Sequence, residues 1–85
     1  MTFDKKLIKQ LEILFQRGYI YNRTIESDRV LIWFTGWEYE SYTSCHTNKE
    51  LESVINSEIK EITELNDDFG GWDEYESILQ ALKAA

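Results

Sequence analysis

The stretch YIYNRTIESDRVLIWFT, residues 19–35, decides the fold. Tyr19 to Ile25 is rich in aromatic and branched side chains, Glu26-Ser27-Asp28 offers a polar turn, and Arg29 to Thr35 carries a Val-Leu-Ile-Trp-Phe run. Such residues fit a pleated, half-buried surface, so the pattern predicts two strands joined by a short turn. The second strand is the more continuously apolar, which marks it as the central one, covered on both faces. Gly36 turns the chain again. From Trp37 to about Cys45 the alternation is weaker, Tyr39 against Glu40 and Tyr42 against Thr43, as in an edge strand with one wet face.

On either side of these strands the period changes to that of a helix. Before them, Leu7, Ile8, Leu11, Leu14 and Phe15 fall at helical spacing, and Gly18 supplies a left-handed stop. After them, Thr47-Asn48-Lys49-Glu50 reads as a capping box, behind which Leu51, Val54, Ile55, Ile59, Ile62 and Leu65 repeat at three- and four-residue steps. Asn66 to Gly71 is expected to break this helix. Trp72, Tyr75, Ile78, Leu79 and Leu82 then trace a third, shorter one. The order is α-β-β-β-α-α, an α+β fold in which helices pack on a three-stranded antiparallel sheet. With 85 residues and no linker, proline or repeat, residues 1–85 are expected to form a single domain around one core.

Composition narrows the function. A hydrophobic fraction of 42% with twelve aromatics is too apolar for a disordered acidic tail. The one cysteine, Cys45, excludes an internal disulfide, and no apolar run has the length of a signal peptide or a membrane span, so a cytoplasmic protein with no membrane partner is expected. Asn22-Arg23-Thr24 matches a glycosylation sequon and is set aside on the same ground. Charge is uneven: up to Gly36 there are four acids and six bases, +2, and from Trp37 onward twelve acids and three bases, −9, together the net −7. A one-signed surface steers oppositely charged surfaces toward it. It also disfavours direct nucleic-acid binding, which needs clustered Lys and Arg.

Little in the sequence supports catalysis or a cofactor. Cys45 and His46 are neighbours on an expected strand and point to opposite faces, so they cannot share a proton. No CxxC, HxxxH or HExxH occurs, and no metal is assigned. Asn66, Asp68, Gly71 and Glu74 stand at positions one, three, six and nine of a calcium loop, but its fifth and twelfth positions would be Gly70 and Ser77. No spacing singles out a pair of carboxyls in contrasting environments, as hydrolytic acid–base work requires. A non-enzyme is therefore expected. Glu58 stands apart, since at 100° per residue it falls inside the apolar stripe of the second helix. The bland expectation is a salt bridge to Arg23 or Arg29, or escape at the stripe's edge; the alternative makes it part of a site.

The collective signal is an acidic face. Glu50, Glu61 and Glu64 share one flank of the second helix, Glu50 and Glu61 being about 16 Å apart at the helical rise. Asp67, Asp68, Asp73, Glu74 and Glu76 continue the acidity into the following turn and helix. A solvated face that keeps a small protein soluble would look similar. Against that, bases are few here, and Trp37, Tyr39, Tyr42, Phe69, Trp72 and Tyr75 are interleaved, Trp72 inside the acidic run. Aromatics of this kind anchor interfaces. The expected partner is a basic protein surface, such as that of a nucleic-acid-binding protein; the alternative is an interaction module with no link to nucleic acid.

The element order, the size and the stretch Gly71-Trp72-Asp73-Glu74-Tyr75-Glu76 resemble the small acidic phage anti-CRISPR proteins that inhibit CRISPR effector nucleases by imitating DNA. That resemblance implies that Asp67, Asp68, Asp73, Glu74 and Glu76 occupy the site where a nuclease reads duplex DNA. The double-stranded-RNA-binding domain shares α-β-β-β-α but needs a lysine cluster at the start of its last helix, where this chain has Asn48-Lys49-Glu50-Leu51-Glu52.

Overall fold

The computed structural model describes residues 3–34 and 42–85. Helix α1 (Lys5–Gln16) is followed by strands β1 (Ile20–Ile25), β2 (Val30–Phe34) and β3 (Thr43–Cys45), then by helices α2 (Asn48–Asp68) and α3 (Asp73–Ala84). The strands form one antiparallel sheet in the order β1-β2-β3, so the α-β-β-β-α-α order and the central place of β2 are as expected. The first part of the expected third strand, residues 37–41, lies outside the described residues.

Each helix begins and ends where local chemistry allows. Asp4 caps α1 by accepting from the Lys6 amide at 2.9 Å. Thr47 Oγ1 caps α2 by accepting from the Glu50 amide at 3.1 Å, while the Glu50 carboxylate accepts from the Thr47 hydroxyl at 3.3 Å. Gly18 (φ 81°) ends α1, with the Gly18 amide bonded to the Phe15 carbonyl and that of Tyr19 to Leu14. Gly70 (φ 70°) ends α2 in the same way, its amide on the Asp67 carbonyl and the Gly71 amide on Asn66. The expected break at Asn66 is therefore wrong by three residues, and α2 runs on to Asp68. Asn66 keeps helical geometry and uses its side chain beyond the helix, where Oδ1 accepts from the Trp72 amide at 2.7 Å.

The core lies between the helices and one face of the sheet. Leu11, Val30, Ile32, Leu51 and Ile55 are fully buried there, with Leu14, Cys45, Ile62, Ile78 and Leu82 nearly so. Gln10, the buried polar residue of that layer, donates from Nε2 to the Leu82 carbonyl at 3.0 Å and ties α1 to the last turn of α3. Cross-strand register puts Ile25 and Cys45 beside Val30, and Arg23 and Thr43 beside Ile32. The pairing shifts between Ile20 and Asn22, and this bulge lets both Ile20 and Arg23 face the helices although they are an odd number of residues apart.

Coverage of β2 on both faces does not hold. Val30 and Ile32 are buried, whereas Leu31 and Trp33, which point the other way, are only half-buried. The described helices contribute their apolar residues to the cluster on the Val30 side, so among the described residues no helix packs on the outer face. There Trp33 packs on Tyr42, ring centroids 5.4 Å apart.

Candidate functional site

The turn from α2 to α3 brings three aromatics together. Phe69 is the C-cap of α2, Trp72 the N-cap of α3, and Tyr75 lies on the first turn of α3. Gly70 and Gly71 reverse the chain so that the rings meet: Phe69 and Trp72 are 5.6 Å apart, Phe69 and Tyr75 6.1 Å, and Trp72 stands edge-on to Tyr75 at 5.1 Å. Such pairs contribute beyond the area they bury. Tyr75 is half-buried against the core, while Phe69 remains 64% exposed and Trp72 48%. The sequence marks Trp72 as a site residue and Phe69 and Tyr75 only as interleaved aromatics; the physical signal for their meeting is that Phe69 directly precedes the paired glycines that fold it onto the next helix.

Carboxylates surround this trio. Asp67 and Asp68 are exposed on the last turn of α2, not in the loop as the sequence suggested. Asp73, Glu74 and Glu76 occupy the first turn of α3, where Trp72 makes no side-chain capping bond, so these acids complement the amides left open at that end. Glu76 reaches back over the turn, its Oε1 3.1 Å from where a Cβ on Gly71 would stand. Glu61 and Glu64 are exposed farther back along α2. Because α2 extends to Asp68, Glu61, Glu64 and Asp68 fall on one stripe within about 60°, at rises of about 4.5 and 6 Å. Among the described residues the ion pairs are Glu12–Arg23 and Glu26–Arg29, so none of these acids has a paired cation.

The acids of the turn are placed against the stability of α2. A helix C-terminus favours cations, yet the last turn of α2 has no basic residue and carries Asp67 and Asp68. This arrangement costs local stability and concentrates negative charge beside the exposed rings.

The expected partners of Glu58 are both committed elsewhere. Arg23 donates to Glu12 through Nε at 2.5 Å and Nη2 at 2.8 Å and lies over the Phe15 ring at 4.0 Å. Arg29 pairs with Glu26 at 3.2 Å. On the helix-facing side of β1, Arg23 is drawn to α1, where Glu12 and the Phe15 ring hold it. Glu58 instead lines a cleft of about 520 Å³ with Tyr19, Phe34, Val54, Glu61 and Leu65. Burial, and then the neighbouring Glu61, push its carboxyl above the ordinary glutamate range. A raised folded-state pKa means stability that is complete below the unfolded pKa and lost as pH rises through the folded value. Glu58→Gln is thus expected to raise the melting temperature at neutral pH and to leave it unchanged below pH of about 4. Thermal melts of both proteins across that range check it, and an equal gain at every pH would show that packing, not charge, is responsible.

Cys45 is buried in the core opposite Val30, and burial followed by Glu50 pushes its thiol up, away from the reactive thiolate form. His46 is exposed, with Nε2 3.1 Å from Ser44 Oγ. Among the described residues no three His, Cys, Asp or Glu side chains are gathered as a metal ion would need, and no helix is long and apolar enough to cross a membrane. No family model matches the chain, and no curated protein or solved structure matches it either.

Proposed function

We propose that this protein is a non-catalytic, acidic protein-binding inhibitor that uses the α2–α3 turn to occupy a basic surface on a nucleic-acid-binding protein, in the manner of a DNA mimic. The observation that carries this reading is the trio Phe69, Trp72 and Tyr75, partly exposed and surrounded by carboxylates without paired cations among the described residues. Exposed rings anchor interfaces, and Arg in particular stacks on them. The carboxylates supply the charge that a phosphate backbone would present. The likeness in element order and in the Gly71–Glu76 stretch to small phage anti-CRISPR proteins makes a CRISPR effector nuclease one such target.

The test is capture of host proteins on the immobilised chain. Captured proteins are expected to be nucleic-acid binders, to be displaced by duplex DNA, and to be released steeply between about 50 and about 200 mM salt. The free protein is expected not to shift duplex DNA or RNA in a gel at physiological salt, since its charge repels phosphate. Capture insensitive to both salt and DNA would reject the reading. It would favour instead a module docking through the outer sheet face, where Leu31, Trp33 and Tyr42 are only half covered or exposed.

A further inference from the structure

The cleft beside α2 has walls of two kinds. Tyr19, Phe34, Val54 and Leu65 give it an apolar lining, and Glu58 and Glu61, three residues apart on one helix, place two carboxylates along the same side. No ion pair reaches either carboxylate among the described residues, because the arginines of the sheet are held by Glu12 and Glu26. A half-buried, unpaired carboxylate beside another is an unfavourable arrangement that a cation entering the cleft would relieve.

The cleft and the aromatic trio both involve the C-terminal part of α2, Leu65 lining the one and Phe69 belonging to the other. Tyr19 lines the cleft, and burial first, then Tyr75 and Glu74, push its hydroxyl above the ordinary tyrosine range. Leu65 lies one turn before Phe69 on the same side of α2. A partner seated on the trio therefore has the mouth of the cleft within reach.

We propose that this cleft receives a single arginine side chain of the partner protein, with its guanidinium on Glu58 and Glu61 and its stem along Val54 and Leu65. Arginine fits better than lysine, because its planar, weakly hydrated head stacks on rings such as Tyr19 and Phe34 and forks onto carboxylates. Its methylenes match the apolar wall, as long charged side chains do when they bury their stems. The proposal rests on the reading of the chain as a binder of basic surfaces and adds to it the side chain that is read.

The probe is the capped tripeptide acetyl-Gly-Arg-Gly-amide, titrated into the ¹⁵N-labelled full chain while amide shifts are followed. Saturable shifts are expected at Tyr19, Glu58, Glu61 and Leu65. Glu58→Gln is expected to weaken binding about tenfold, the scale of one lost charged hydrogen bond. The citrulline peptide should bind at least as weakly, and Glu50→Gln, farther along α2, should have no effect. Shifts spread evenly over Glu64, Asp67 and Asp68, equal binding of the citrulline peptide, or the absence of saturable shifts at the cleft each overturns the proposal. The two readings fail separately. If the cleft ignores the peptide while charge reversal at the α2–α3 turn still abolishes partner capture, the cleft is wrong and the binding surface stands; if the cleft binds and those reversals do nothing, the surface is wrong.

Discussion

Leu51→Ala or Ile55→Ala is expected to lower stability by about 2–5 kcal/mol, the range for truncating a large buried aliphatic side chain. Both residues are fully buried on the inner face of α2, where that helix meets the sheet and the other two helices. The loss has two parts, the transfer energy of the removed methyl and methylene groups and the cavity left behind. A chain of 85 residues has a total stability of about 4–13 kcal/mol at the usual value per residue, so either change removes a large share of it. Urea titration is the direct measurement: the midpoint should fall while the slope stays constant, as expected when stability alone has changed. Glu52→Ala, on the exposed side of the same helix, should stay within about 0.5 kcal/mol of the parent. A midpoint unmoved by Leu51→Ala would mean that the inner face of α2 has been assigned wrongly.

The start of α2 could be read from the sequence because two independent signals agree there, the Thr47 cap and the apolar period beginning at Leu51. Its end could not. Asn66 is common in turns, but what ends this helix is the left-handed backbone four residues later at Gly70, and the Asn66 side chain is spent on the Trp72 amide. The order and antiparallel pairing of the strands followed from residue type, whereas coverage of the sheet is a property of how many layers the chain can supply. Leu31 and Trp33 are apolar enough for burial, yet the described helices pack on the other face.

Side-chain partners were harder still to read. Which side of β1 Arg23 occupies depends on a one-residue bulge near Tyr21 that no residue type announces, and on the side that faces the helices it is Glu12 of α1, not Glu58 of α2, that Arg23 meets. The acidic residues of the site were visible as charge, and Trp72 as an aromatic within the acidic run. Their common surface was not visible, because it depends on two glycines folding Phe69 back onto Trp72 and Tyr75.

The largest functional effect is expected from reversing the charge of the turn, and its two halves should move stability in opposite directions. Asp67→Lys with Asp68→Lys places cations at the C-terminus of α2, where the helix dipole favours them, and should raise stability by about 0.3–1 kcal/mol per residue. Asp73→Lys with Glu74→Lys places cations at the N-terminus of α3, which has no side-chain cap, and should lower it by a similar amount. Either pair should abolish capture of a basic partner, because each reversal turns an attraction into a repulsion and acts first on the association rate. Glu76→Lys added to the second pair should deepen the loss. A binding defect shared by one variant that melts higher and another that melts lower cannot come from unfolding, so thermal melts and capture measured on the same preparations separate the two causes. Reversal of Lys5, Lys6 and Lys9 on α1 should leave capture unchanged. If it destroys capture while both acidic pairs leave it intact, the partner binds the N-terminal half of the chain and the acidic turn serves only to charge the surface.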